Sequence, residues 1–172
     1  MISPPLAKPA KIGATPALIL LPMIEIKPVT LDNGRQVDRA LLDAAEAVHR
    51  QLRPQLPAEY AASMQAIFEA GANMCVALQD GRVAGVAVWR VMLKTVCGLE
   101  LYVDDLVTDE TRRSSGVGAA LLGWIEAEAR RRGCQLLSLD SGTQRERAHR
   151  FYFREGMAIS SFRFVKPLAG RP

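Results

Sequence analysis

The chain has few of the residues that build metal sites and disulfide frameworks. Only two of its 172 residues are histidine and three are cysteine, and no His, Cys or carboxylate group has metal-ligand spacing. Cys75, Cys97 and Cys134 are widely separated and form no C-x-x-C pair, which argues against a disulfide scaffold or a zinc ribbon. We interpret them as reduced core residues of a cytoplasmic protein without a metal cofactor. The alternative is that one of the three cysteines is a catalytic nucleophile that forms a covalent intermediate.

Long hydrophobic runs and strong charge imbalance are also absent. The apolar run at 17–21 is too short for a signal peptide or a membrane span, so we expect no membrane partner. The net charge of +4 suits a polyanionic cofactor as well as nucleic acid. The arginines at 130–132 are more typical of a helix C-terminus than of a nucleic-acid patch, so nucleic acid is not favoured as a partner.

Residues 1–22 lack acidic side chains and hold five of the ten prolines. This composition predicts an extended or poorly ordered arm that precedes a single domain, residues 23–172.

What the chain does contain is a regular succession of strand and helix patterns. The periodicities predict strands at 23–30, 74–78, 83–94, 99–107, 135–140 and 159–165, and helices that begin near 37, 57, 116 and 143. Asp80-Gly81 predicts a hairpin, Asp32–Gly34 a turn, and Thr143–Glu146 has the form of a capping box. The order predicts an α+β fold, with a mixed, mostly antiparallel sheet, one parallel β-α-β unit and helices on both faces.

A glycine turn at 113–118 joins the strand at 99–107 to the longest helix. Unpaired backbone N–H groups at such a junction, together with the helix dipole, are suited to hold phosphate. A P-loop is excluded because no lysine follows Gly118, and the dinucleotide fingerprint fails at Leu121. The turn instead fits Arg/Gln-x-x-Gly-x-Gly/Ala, with Arg113, Gly116 and Gly118 at the defined positions.

A second segment, 148–157, has the form A-x-x-F-Y-x-x-x-G-F, with Met157 at the last position. Through this segment and 104–118 the chain resembles the GNAT superfamily of N-acetyltransferases, over about residues 23–166. Ser114 and Ser115 stand where that family usually has glycine and a basic residue, and Arg145 stands where many members have asparagine.

The resemblance implies acetyl-coenzyme A as donor and a primary amine of a small molecule or protein as acceptor, with direct attack in a ternary complex. It also implies the residues that bind the donor through its diphosphate and pantetheine: Leu106, Val107, Thr108, Arg113, Ser114, Ser115, Gly116, Val117, Gly118, Ala119 and Arg145. Some members of the family are homodimers, and a homodimer is a further prediction made by analogy only.

The resemblance implies that Tyr152 is the general acid and that Asp104 or Asp105 is the general base. Glu100 is a third candidate for the base. The two aspartates should lie on opposite faces of an extended strand unless a bulge intervenes. His149 ranks below them as a base, and His49 ranks last. A CoA-binding or nucleic-acid-binding regulatory module without catalysis is the alternative function.

Overall fold

A computed structural model describes residues 23–30 and 38–168 of the chain. The described elements, in order, are β1 Ile24–Pro28, α1 Arg39–Leu52, α2 Tyr60–Glu69, β2 Ala72–Gln79, β3 Arg82–Lys94, β4 Gly98–Thr108, a 3-10 turn Glu110–Arg112, α3 Val117–Arg131, β5 Leu136–Leu139 and α4 Glu146–Arg154. The predicted arm at 1–22 and the predicted turn at 32–34 lie outside the described residues.

The strands form one sheet in the order β1-β2-β3-β4-β5. β1 to β4 pair antiparallel, and β5 pairs parallel to β4 after the crossover through α3. Asp80 and Gly81 have φ of 53° and 72°, the left-handed pair that a tight two-residue hairpin requires. The predicted α+β fold is confirmed.

The two faces of the sheet build two apolar cores. α1 and α2 cover one face, where Val76 and Val88 belong to the same buried cluster as Leu42 and Phe68, and α3 covers the other. On the α3 face, a Cβ at Gly85 of β3 would lie 2.7 Å from Val117 Cγ1. The start of α3 therefore packs directly on the sheet.

Two predictions about the C-terminal part are wrong. Residues 159–165 form no strand, and the side chains of Ile159, Phe162 and Phe164 are 71%, 85% and 93% exposed. Alternation is a local property, whereas a strand also needs backbone hydrogen bonds to a neighbouring strand, and this segment makes none with the described strands. The capping box is also not formed, because the N-cap of α4 is Arg145 and receives no side-chain hydrogen bond.

Candidate active site

The sheet opens between β4 and β5. β5 pairs with β4 only from Glu100 to Val103, whereas β4 runs on to Thr108 with its other edge paired to β3. Within the described residues, the edge of β4 from Asp104 onward therefore has no strand partner. Its peptide groups are available to an extended ligand, and the predicted pantetheine-binding residues Leu106, Val107 and Thr108 lie on this edge.

The glycine turn places a helix N-terminus at the end of that edge. Gly116 caps α3 with a φ of 90°, a conformation that glycine adopts without steric cost. The first intrahelical bond runs from the Ala120 N–H to the Gly116 carbonyl, so the N–H groups of Val117, Gly118 and Ala119 have no partner within the helix. The first turn of α3 carries no acidic side chain. These features together make an anion site of the kind that binds phosphate.

The two adjacent arginines at the start of the turn, Arg112 and Arg113, have different surroundings. Arg112 donates to Asp80 at 2.9 Å and to Gln79 at 3.2 Å, and its carbonyl accepts a bond of 2.6 Å from the Ser115 hydroxyl. Arg113 is exposed and makes no ion pair in the described part of the chain. Arg113 is therefore the arginine whose guanidinium is available to a phosphate.

The two sequence motifs meet at Gly118. A Cβ at this glycine would lie 3.4 Å from Phe151 Cζ and 3.5 Å from Thr108 Oγ1. The end of β4, the start of α3 and Phe151 of α4 therefore lie against one another at this glycine. Arg145, the last predicted donor-binding residue, lies at the N-cap of α4 and is exposed.

Tyr152 follows Phe151 on α4 and is partly buried. The two rings are edge to face, with centroids 5.3 Å apart. Burial raises the pKa of the Tyr152 phenol, and the charge of Arg145 opposes this only in part, so the phenol keeps its proton at neutral pH. His149 is engaged elsewhere, because its Nε2 lies 3.0 Å from the Gly142 carbonyl.

A bulge in β4 decides where the two aspartates point. Val88 of β3 is opposite Asp105 and the next residue, Trp89, is opposite Val103, so Asp104 is the extra residue. Asp104 Oδ2 accepts a bond of 2.7 Å from Arg90 Nε, and Asp105 contacts the end of α1. Both carboxylates therefore lie on the α1 face of the sheet, which is the exception that the sequence analysis allowed.

Asp105 belongs to a buried polar network that sequence reasoning missed. Its Oδ2 lies 2.9 Å from His49 Nε2, and the His49 Nδ1 lies 3.0 Å from the Tyr60 hydroxyl. The Asp105 Oδ1 accepts a bond of 2.6 Å from Arg53 Nε, and Arg53 also donates to the Asp104 carbonyl. His49 and Tyr60 are 1% and 3% exposed.

A signal for His49 is present in the sequence. It follows Leu42 and Ala45 on the buried face of α1, at helical spacing. A histidine on an apolar stripe must find hydrogen-bond partners within the protein.

The charges of this network fix the state of Asp105. Burial alone would raise the pKa of its carboxyl group, but the hydrogen bond from His49 and the charge of Arg53 outweigh burial and hold the pKa below its ordinary value. Asp105 is therefore ionised at neutral pH. With Asp105 charged, His49 donates from Nε2, and in the neutral imidazole Nδ1 is then the acceptor for the Tyr60 O–H.

Glu100, the third predicted carboxylate, lies below the opening of the sheet. It is buried, opposite Leu136 in the paired part of β4, and it accepts hydrogen bonds from Lys94 and Ser138. These two bonds outweigh burial and lower its pKa. Its carboxylate has hydrogen-bond partners within the protein and lies away from the unpaired edge of β4. We therefore interpret Glu100 as a structural residue, ion-paired with Lys94.

Within the described residues, no three His, Cys, Asp or Glu side chains cluster closely enough to hold a metal ion. In the same part of the chain, no helix is both long and apolar enough to span a bilayer. Cys75 is buried, whereas Cys97 and Cys134 are partly exposed, and all three are free thiols. The prediction of core cysteines is therefore right for Cys75 and only partly right for Cys134, which packs against the α3 core.

The chain is similar to two curated N-acetyltransferases over part of its length. One is an aminoalkylphosphonate N-acetyltransferase of Salmonella typhimurium, 44% identical over 66 residues, which are 38% of this chain and 43% of that protein. The other is an uncharacterized N-acetyltransferase of Bacillus subtilis, 44% identical over 72 residues, which are 41% of this chain and 51% of that protein. The alignments thus span about half the length of these relatives.

Solved structures share the fold at low sequence identity. An acetyltransferase of Trypanosoma brucei matches with a TM-score of 0.67 at 21% identity, over 85% of this chain and 100% of that chain. The aminoglycoside N-acetyltransferase AAC(6')-Iy, in complex with the bisubstrate analog CoA-S-monomethyl-acetylneamine, matches with a TM-score of 0.71 at 16% identity, over 86% and 99% of the two chains.

A family model described as "Acetyltransferase (GNAT) family" matches residues 39–157. This range contains the unpaired edge of β4, the glycine turn and the Phe151-Tyr152 pair, and it covers well over half of the chain. On this match, the protein belongs to the GNAT family of acetyltransferases.

Proposed function

We propose that the protein transfers an acetyl group from acetyl-CoA to the primary amine of a small molecule or peptide, by direct attack within a ternary complex. The observation that carries the proposal is the continuity between the unpaired edge of β4 and the N–H groups at the start of α3. An extended ligand bound along that edge ends with its anionic group at a helix N-terminus. CoA has this form, with a pantetheine arm attached to a diphosphate.

The residues present fit this donor. The N–H groups of Val117, Gly118 and Ala119 would hold the diphosphate, with Arg113 beside them, and Leu106 to Thr108 would pair with the pantetheine amides. The Ser141 hydroxyl, just after β5, is buried without a hydrogen-bond partner in the described residues, so it is a further polar group open to a ligand. When bound, acetyl-CoA supplies the acetyl group as an activated thioester.

The acceptor must lose a proton before it attacks, since an alkylamine has a pKa of about 10. Both oxygens of Asp105 are engaged, one by Arg53 and one by His49. Asp104 is engaged at Oδ2 by Arg90, and its Oδ1 accepts no hydrogen bond from the described residues. Asp104 is therefore the carboxylate that takes the proton, directly or through a water, and Asp105 is a positioning residue that fixes the bulge.

Tyr152 is the proposed acid. Its phenol keeps its proton at neutral pH, as its raised pKa requires, and a thiolate leaving group with a pKa of about 8.5 is basic enough to receive that proton. The contact between Phe151 and Gly118 places α4 against the donor-binding turn, which supports this role.

The test is release of free thiol from acetyl-CoA with a panel of primary amines. We expect amine-dependent release in the wild type and a loss of roughly 10²-fold or more in kcat for Asp104→Asn. Replacing Asp43, an exposed acid paired to Arg39 on α1, with Asn gives a matched control that should leave kcat unchanged. Binding of acetyl-CoA without release for any amine would contradict catalysis and favour a regulatory module.

A further inference from the structure

The face of the sheet beside the proposed base carries charges of both signs. Four acids on or next to β4 and β5 each contact a separate cation, in the pairs Asp105–Arg53, Asp104–Arg90, Glu100–Lys94 and Asp140–Arg163. Because each of these acids already contacts a cation of the protein, a polycationic acceptor would have to compete with those cations. The composition of this face is that of a surface for a ligand with both charges.

Arg53 and Arg90 flank the bulge from two different elements. Arg53 lies at the C-cap of α1 and donates to the Asp104 carbonyl at 3.2 Å, and Arg90 lies on β3 and holds the Asp104 carboxylate. Their side chains remain 41% and 30% exposed. Both guanidinium groups thus meet at Asp104 and still face solvent.

Each of these two guanidinium groups has N–H donors that no described residue engages. A guanidinium has five N–H donors. The described residues engage Arg53 through Nε and Nη2 and Arg90 through Nε and Nη2. The Nη1 group of each arginine therefore has both of its N–H donors available. Guanidinium groups bind carboxylate and phosphonate or phosphate oxygens in a two-point fashion.

Building on the proposed acetyl transfer, we propose that the acceptor is a small amine that carries an anionic group, a carboxylate or a phosphonate or phosphate. The anion lies between Arg53 and Arg90, and the amine lies at Asp104 Oδ1. Because both guanidinium groups already touch Asp104, a short spacer separates the amine from the anion. Arg53 and Arg90 thus select the acceptor, in addition to holding the two aspartates.

The experiment compares acceptors that differ only in the anion. We would measure kcat/KM by thiol release for β-alanine against its amide, and for 2-aminoethylphosphonate against its diethyl ester, with spermidine as a polycation. We expect at least one anionic acceptor to exceed its uncharged partner by about tenfold or more. The pair that shows the larger ratio distinguishes a carboxylate from a phosphonate ligand.

Variants assign the preference to the two arginines. In Arg53→Gln and Arg90→Gln we expect the ratio of anionic to uncharged acceptor to fall several-fold, toward one. The ratio is the readout because a disturbed base slows both members of a pair equally. Arg39→Gln is the matched control: it makes the same substitution at the first residue of α1, about 20 Å along the helix, and should leave the ratio unchanged.

The proposal is overturned if uncharged partners react as fast as the anionic acceptors, if spermidine is the best acceptor, or if the ratio survives in both arginine variants. A different result marks failure of the proposed function itself. In that case acetyl-CoA binds, but none of the amines, charged or uncharged, releases thiol.

Discussion

The buried pair His49–Tyr60 gives the sharpest test of how Asp105 is held. His49→Leu places an apolar side chain of similar volume on α1 and removes both ring nitrogens. Asp105 then loses the donor at 2.9 Å, and the Tyr60 hydroxyl loses the acceptor at 3.0 Å. Both remaining groups stay inside the protein, because Tyr60 is 3% exposed and the Asp105 side chain is 11% exposed.

The magnitude follows from these two losses. A hydrogen bond to a charged group contributes about 1.5–3 kcal/mol, and a buried hydroxyl left without a partner costs about 1–3 kcal/mol. Asp105 keeps Arg53, and the leucine gains some apolar burial. We therefore expect His49→Leu to lower the free energy of unfolding by about 2–4 kcal/mol and Tyr60→Phe by about 1–2 kcal/mol.

The double variant tests the coupling between the two side chains. His49→Leu with Tyr60→Phe should cost about 1–2 kcal/mol less than the sum of the single changes, because both single changes break the same Tyr60–His49 bond. Urea unfolding at pH 7 measures all four proteins. A His49→Leu effect below about 0.5 kcal/mol, or strict additivity, would refute the reasoning.

The free energy of unfolding of the same proteins can also be compared as a function of pH. The pKa of Asp105 is lowered in the folded state, so Asp105 contributes stability above its unfolded pKa of about 3.9, and this contribution is lost as pH falls through the lower folded value. His49→Leu removes the donor that helps lower this pKa. The variant should therefore lose less stability than the wild type between pH 5 and strong acid, with other carboxyl groups affecting both proteins alike.

Three further predictions concern the glycine turn and α4. Gly118→Leu should displace Phe151 and weaken acetyl-CoA binding by at least about tenfold in calorimetry. The control Gly123→Leu lies on the exposed face of α3, where a Cβ meets nothing within 4 Å, and should bind acetyl-CoA normally. Equal binding by the two variants would contradict the assignment of the glycine turn to the donor. Ser114 has a φ of 65°, so Ser114→Gly should raise the free energy of unfolding by up to about 1 kcal/mol, and a loss of stability would show that its side chain contributes. Tyr152→Phe should lower kcat by roughly 10²–10⁴ with little change in acetyl-CoA affinity, and an unaltered kcat would leave Tyr152 as a packing residue.

Local patterns were enough for most of the fold. Asp80-Gly81 predicted its hairpin because two consecutive left-handed residues favour this pair. The helix after Gly116 and the parallel strand after it followed from periodicity and from the handedness of crossovers. The segment at 159–165 shows the limit of this reasoning, since its side chains alternate as in a strand but its backbone pairs with no described strand.

The candidate site also has one part that local sequence predicted and one part that depends on tertiary contacts. The sequence by itself was enough to predict the donor-binding residues, because the glycine turn is one contiguous segment whose free N–H groups are a local property of the start of α3. The proposed acceptor side rests on the tertiary structure alone. Asp104 and Asp105 share a face because of a bulge that appears only in the pairing of β3 with β4, and His49, Arg53 and Arg90 reach them from other elements. Contacts across 14 to 56 residues of chain depend on how α1 packs on the sheet, which no local spacing encodes.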